Sequence, residues 1–196
     1  MLKITGLNYQ KGFKKILDDI NLTIDDNTIN IICGENGCGK TTLLKIIVGA
    51  IRSKGITNNF SDAFFLSDKF VLPGNRLVSD FLYEAIKDFK GSVNIDNIMA
   101  DLELPDKPIK TLSKGNYKKV GIIYSFISKA KLVVYDEILD GLSPQVVKKV
   151  IKYLKELNKT IILVSHFLKP FRYLNYHLIE MKEGKIINEK EVNKPN

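Results

Sequence analysis

The stretch GENGCGKT, Gly34 to Thr41, follows the apolar run Ile31, Ile32, Cys33. It leads into Leu43, Leu44, Ile46, Ile47 and Ile51, whose spacing predicts a helix over Thr41 to Arg52. Gly34, Gly37 and Gly39 weaken any helix or strand that contains them. Between a strand and a helix they serve a different end. The spacing G-x-x-x-x-G-K-[ST] marks a loop whose backbone N–H groups wrap a phosphate, which requires free φ and no intruding Cβ. The helix N-terminus near Gly39 adds partial positive charge, worth ~1 kcal/mol per well-placed anion contact. Gly34, Glu35, Asn36, Gly37, Cys38, Gly39, Lys40, Thr41 and Thr42 are therefore the expected nucleotide-binding residues. The Lys40 ammonium is expected to reach the β- and γ-phosphates and the Thr41 hydroxyl to ligate Mg²⁺.

Upstream, INLTIDDNTINIIC alternates apolar and polar residues from Ile20 to Ile24, turns at Asp25 to Asn27 and resumes from Thr28 to Cys33. That pattern predicts an antiparallel pair feeding the glycine loop. Downstream, DAFFLSD reads as a short buried strand ending near Ser67, and two apolar-periodic segments between about Leu77 and Leu104 read as helices. A further helix is predicted from Ser113 to Lys129, then the buried strand KLVVYDE, then a helix capped by Ser143 with Pro144 in its first position. The strand TIILVSH follows, and YHLIEMKEGKIINEKEV reads as a hairpin turning at Glu183 and Gly184. Strands alternating with helices predict an α/β fold with a mainly parallel core sheet.

At 196 residues the chain is long enough for one sizeable core and contains no Pro-, Gly- or Ser-rich linker, so a single domain over 1–196 is expected. No apolar stretch is long enough to span a bilayer. The opening MLKITGLNYQ lacks the pattern of a secretory signal, and Cys33 and Cys38 are too few for a disulfide framework, so a reducing cytoplasm is expected. The net charge of +8 is almost all lysine, with arginine only at Arg52, Arg76 and Arg172 and no tryptophan. Phosphate clamps and base-stacking surfaces lean on those two residue types, so no nucleic-acid partner is expected. A lysine-rich surface suits an anionic membrane face or simple solubility equally well.

LVVYDE ends an apolar strand with two carboxylates, Asp136 and Glu137. Successive strand residues point to opposite sides, so one can hold Mg²⁺ while the next faces an attacking water. Asp136 is assigned to the metal and Glu137 to water activation, a role worth ~10²–10⁴-fold in rate. His166 closes IILVSH at the carboxyl end of another strand, the side on which open α/β sheets bind ligands. There it is placed to donate to the γ-phosphate and to position Glu137.

TLSKGNYKKV brings these pieces together. Leu112, Ser113, Lys114, Gly115 and Asn116 resemble the LSGGQ turn of the ATP-binding cassette (ABC) ATPases, and Asp136 follows Leu112 by 24 residues, as that family's helix and strand require. Phosphate loop, LSGGQ-like turn, Asp-Glu strand end and histidine all occur in family order, so the resemblance covers nearly the whole chain. It implies a P-loop NTPase core, an antiparallel N-terminal β subdomain and a small helical insert at about 75–130. It also implies ATP and Mg²⁺ as ligands. In this family the turn acts in trans, so Ser113, Lys114, Gly115 and Asn116 would contact ATP held by a facing chain in a head-to-tail homodimer or heterodimer. Lys40, Glu137 and His166 would be the catalytic group. A separate integral membrane permease would be the partner, docking at the groove beside Asp68 and the insert helices, with the chain peripheral on the inner face of the cell membrane.

Several positions depart from the family pattern. Asp68 in FFLSDKF stands where the family has glutamine, and as a carboxylate it is a candidate for Mg²⁺ beside Thr41 and Asp136. ILDGLS puts Ser143 where the family has aspartate; Lys114 replaces a glycine and Asn116 a glutamine. The adenine-stacking aromatic expected near Lys11 is absent in register, leaving Tyr9 or Phe13. These departures keep three functions open: the motor subunit of a transporter, with the LSKG-type turn leaning to export; a slow-hydrolysing regulatory cassette; and a cassette acting away from membranes on nucleic acid or ribosomes.

Overall fold

The structure, a computed structural model, describes residues 1–58, 60, 62–89 and 93–194. Residues 90–92 of the expected helical insert lie outside these. Nine strands and five α-helices follow in the order β1 (Leu2–Lys11), β2 (Lys14–Ile24), β3 (Ile29–Gly34), α1 (Lys40–Ile47), β4 (Ile56–Asn58), β5 (Ala63–Leu66), α2 (Val78–Phe89), α3 (Ile95–Asp101), α4 (Lys114–Ile127), β6 (Leu132–Asp136), α5 (Pro144–Glu156), β7 (Thr160–Val164), β8 (Tyr176–Lys182) and β9 (Lys185–Val192) among the described residues.

The strands form two sheets. The larger has the order β5-β6-β7-β3-β8-β9, parallel from β5 to β8 with β9 added antiparallel, and the smaller is the antiparallel set β2-β1-β4. This is the P-loop α/β architecture with an antiparallel N-terminal β subdomain. The helices α2, α3 and α4 fall between β5 and β6.

Strand periodicity explains how the core divides. Ile31, Val133, Tyr135, Ile161, Leu163 and Leu178 point to one side of the large sheet, into a core shared with α2 to α5. Their neighbours Ile32, Leu132, Val134, Ile162, Val164 and Ile179 point to the other, against α1, β1 and β2. Helix α1 has eight residues, too short to persist alone. Leu43, Leu44, Ile46 and Ile47 are each buried there, and full burial of such a side chain stabilises by ~1.5–3 kcal/mol.

Two sequence expectations are corrected, and one strand is added. The segments Ile20 to Ile24 and Thr28 to Cys33 are not an antiparallel pair: β2 pairs with β1, and β3 leaves for the centre of the parallel sheet between β7 and β8. The burial patterns give the reason. Over Ile20 to Ile24, β2 buries every second residue, suiting a sheet with one covered face, whereas Asn30, Ile31 and Ile32 of β3 are buried in succession and need cover on both faces. The glycine-loop helix stops at Ile47 instead of Arg52, since Gly49 takes φ 76°, a left-handed turn that ends it. The N-terminal strand β1, unread in the sequence, carries register shifts between Ile4 and Gln10 that break its alternation.

The caps follow the sequence. Ser143 accepts from the Val146 amide at 3.3 Å with Pro144 next, and Ser113 accepts from the Asn116 amide at 3.3 Å to begin α4. The β8–β9 hairpin turns at Glu183 and Gly184.

Candidate active site

Strand β3 delivers the glycine loop to the carboxyl edge of the sheet, and α1 leaves from it with left-handed Gly39 (φ 110°) as N-cap. The glycines have different reasons to be there. A Cβ on Gly34 would lie 2.2 Å from the Met181 carbonyl oxygen, and one on Gly39 would lie 2.9 Å from the Ile16 carbonyl oxygen. Backbone fills the first space, and backbone together with the Leu17 side chain fills the second. Gly37, with φ 81°, has nothing within 4 Å of its Cβ position, so it alone of the three matches the expectation of room cleared beside the loop. The hairpin turn braces the loop, Gly184 N–H donating to the Cys38 carbonyl at 2.9 Å. Cys38 is 6% exposed and packs into the core, with its Sγ 3.0 Å from where a Cβ on Gly34 would lie. Lys40 is buried, and its ammonium spans the loop by donating to the Gly34 and Glu35 carbonyls at 2.8 and 2.9 Å.

Ile16, Asn36, Gly37, Gly39, Lys40, Thr41, Thr42 and Glu137 line a cleft of about 200 Å³ over the loop. Two parts of the chain 95 residues apart meet beside it: the Thr41 hydroxyl donates to Asp136 Oδ2 at 2.9 Å. Asp136 Oδ1 is buried and has no hydrogen-bond partner among the described residues. A buried anionic lone pair without a donor is costly unless a cation takes it. Thr41 and Asp136 therefore fit Mg²⁺, a hard cation that prefers oxygen ligands. Burial pushes the Asp136 carboxyl above the usual range, opposed by the Thr41 hydroxyl.

Glu137, next in the chain, adopts φ 54°, a left-handed conformation that costs a non-glycine residue ~1–2 kcal/mol. Its carboxylate meets His166 Nε2 at 3.0 Å. Carboxylate oxygens of Glu137 and Asp140 and a ring nitrogen of His166 all lie within 4.8 Å of one another. The side chains of Glu137 and His166 are 41% and 29% exposed, so water reaches them.

Glu137 also borders a second depression, of about 430 Å³, lined by Asp68, Lys114, Gly115, Lys118, Asp140 and Gly141. Glu137 therefore lies on the rim shared by the phosphate-loop cleft and the depression beside the LSKGN turn. Asp68 is taken up within this second group. Its Oδ2 receives Lys114 Nζ at 2.8 Å, and Lys118 Nζ lies 3.3 Å from Oδ1. Lys114 foremost, and then Lys118 against some opposing burial, hold the Asp68 carboxyl below its ordinary range. Asp68 is thus paired with two lysines of α4 in the second depression, whereas Thr41 and Asp136 meet beside the phosphate loop. Of the two stacking candidates, Phe13 is fully exposed at the β1–β2 turn and Tyr9 is half-buried against the core.

Sequence reasoning missed Ile16, Asp140 and Lys118. Ile16 sits at the edge of the cleft beside buried Leu17, a place given by the β2 register alone. Asp140 had a local signal, lying three residues beyond Glu137 in a turn closed by Asp140 N–H to the Glu137 carbonyl at 3.3 Å. Lys118 had none among so many lysines.

With this geometry in view, the comparisons converge. A family profile described as "ABC transporter" matches residues 17–140. The chain is 27% identical over 208 residues to a lantibiotic transport ATP-binding protein of Streptococcus pyogenes, covering 97% of this chain and 91% of the relative. It is 31% identical over 199 residues to an uncharacterized ABC transporter ATP-binding protein of Methanocaldococcus jannaschii, covering 95% and 76%. Among solved structures, an ATP-binding subunit of an ABC transporter superposes with a TM-score of 0.82 at 20% identity, covering 97% of this chain and 89% of the other. An ATP-binding cassette solved as a dimer with ADP and Pi superposes with a TM-score of 0.78 at 21% identity over 100% of both chains. Family profile, relatives and fold agree, and this chain belongs to the ABC transporter family as one of its ATP-binding ATPase cassettes.

Proposed function

We propose that the chain is the ATP-hydrolysing motor subunit of a membrane transporter, working as a head-to-tail dimer on a permease carried by another polypeptide. The observation that carries this reading is the meeting of Thr41, from the first turn of α1, with Asp136, Glu137 and His166, from the ends of β6 and β7, at the rim of the phosphate loop. In this reading backbone amides from Gly34 to Thr42 bind the ATP phosphates, and Lys40 turns its ammonium from the loop carbonyls toward them. Thr41 and Asp136 hold Mg²⁺, which supplies charge neutralisation on the phosphates. Glu137 accepts a proton from the attacking water, and His166 orients that carboxylate. Ser113, Gly115 and Asn116, at the N-terminus of α4, present helix-end amides to ATP bound on the facing chain.

Dimerisation is supported by the fold shared with a cassette solved as a dimer, and transport by the description of the Streptococcus pyogenes relative. Export rests on the LSKG-type turn. No helix among the described residues is long and apolar enough to cross a membrane, so in this reading the permease supplies the attachment to the inner face. A slow-hydrolysing regulatory cassette is the second reading, favoured by the lysine-bound Asp68 and by Ser143 as cap.

The test is Glu137→Gln. Steady-state ATP turnover is expected to fall by ~10²–10⁴-fold, and an ATP-trapped dimer to appear by size-exclusion chromatography with light scattering. A variant that stays monomeric at saturating ATP and high protein concentration removes self-pairing. Equal turnover in variant and wild type supports the regulatory reading instead.

A further inference from the structure

Lys118 lies one helical turn beyond Lys114 on α4, and its side chain is only 12% exposed, unusual for a lysine. Three groups from two other segments converge on its ammonium. It donates to the Glu137 carbonyl at 3.1 Å and to the Asp140 carbonyl at 3.2 Å, and lies 3.3 Å from Asp68 Oδ1. Ammonium has three donors, and this arrangement offers an acceptor for each. The Asp68 carboxylate balances the charge, which makes near-burial of the cation tolerable.

The location matters more than the count of bonds. Glu137 holds a left-handed backbone at φ 54°, and such a conformation persists only where its surroundings fix it. The direction of the Glu137 side chain follows from that backbone angle. At the carboxylate end Glu137 is held by His166, and at the main-chain end by Lys118. Lys114 shares Asp68 but is 75% exposed at 2.8 Å, so its loss leaves Lys118 still paired.

We propose that Lys118 is a positioning residue for hydrolysis: by clamping the Glu137 and Asp140 carbonyls against Asp68, it fixes the turn that aims the Glu137 carboxylate into the cleft. This rests on Glu137 being the water-activating group. Lys118 is not among the residues lining the phosphate-loop cleft. It therefore acts on kcat and leaves nucleotide affinity alone, since the phosphate loop does not depend on it.

Steady-state ATP turnover and Mg-ADP affinity of the full chain test this, in Lys118→Met, Lys118→Arg, Glu137→Gln and the combined Lys118→Met, Glu137→Gln protein. Lys118→Met is expected to lower kcat about 10- to 100-fold, with KM and Mg-ADP affinity within about twofold of wild type. Lys118→Arg, which keeps the charge and several donors, should recover most of that loss. Adding Lys118→Met to Glu137→Gln should cost nothing more, because the aim of an absent carboxylate is irrelevant. If Lys118→Met does not fold, Lys118→Gln is read in the same way. Wild-type kcat in Lys118→Met, alongside a crippled Glu137→Gln, overturns the proposal alone. So does a loss that multiplies in the combined variant, or one shared by kcat and affinity. Full turnover in Glu137→Gln instead removes the catalytic assignment of Glu137, and the positioning role with it.

Discussion

His166 Nε2 lies 3.0 Å from Glu137 Oε1, although the two residues close different strands and are 29 positions apart in the chain. The pair brings the end of β7 to the end of β6, where these neighbours run parallel in register from Leu132 opposite Thr160 to Asp136 opposite Val164. A histidine so placed restrains the carboxylate in a part of the site open to water.

From this contact, His166→Ala is expected to reduce ATP turnover by ~10²-fold or more, within the range set by general-base catalysis, while nucleotide affinity stays near wild type. Single-turnover kinetics with fluorescent-nucleotide titration separate the two quantities. Retention of at least half the wild-type turnover excludes the positioning role for His166.

With Asp136 as the proposed Mg²⁺ ligand, its protonation would link pH to metal binding as well as to stability. Burial raises its carboxyl above 3.8 in the folded chain. Between the unfolded and folded values the native state holds the extra proton, so this group's contribution to stability is greatest below the unfolded pKa and is lost as pH rises through the folded one. Only the ionised form serves Mg²⁺, so Mg-dependent nucleotide affinity should rise with pH across that window. Asp136→Asn is expected to raise the Tm of the nucleotide-free protein at neutral pH and to abolish the Mg²⁺ dependence of nucleotide binding. Calorimetry and titration with and without Mg²⁺ measure the two. A lower Tm together with intact Mg²⁺ dependence refutes the assignment.

The two loop glycines should respond unequally to a methyl group. Gly37→Ala pays only for the left-handed backbone, ~1–2 kcal/mol. Gly39→Ala pays that and also drives a Cβ to 2.8 Å from Leu17 Cδ2 and 2.9 Å from the Ile16 carbonyl oxygen. Urea midpoints should therefore fall further for Gly39→Ala, and equal losses contradict the packing argument.

Much of this arrangement is legible in the chain because it is local. The G-x-x-x-x-G-K-[ST] spacing, the Ser143-Pro144 start of α5 and the Glu183-Gly184 turn each depend on residues within a few positions of one another. Partner choice between strands was not legible. Adjacency in sequence suggested that β2 pairs with β3, but β2 has one buried face and β3 two, so β2 turns back onto its predecessor β1 while the partners of β3, β7 and β8, lie far along the chain. Asp68 shows the same limit at the site: a carboxylate in a metal-binding context by motif order is neutralised by two lysines from α4.

By itself the sequence determined the loop and the order of the strands and helices other than β1 and β4, and it singled out Thr41, Asp136, Glu137 and His166 as candidates, since hydrophobic period and residue spacing act over one element at a time. Only the tertiary structure decided which face each strand buries, why Gly34 and Gly39 must lack a side chain, and that Lys118 grips the turn of Glu137. Those follow from close packing between segments distant in the chain, where a few tenths of an ångström or one unpaired charge outweighs any local preference.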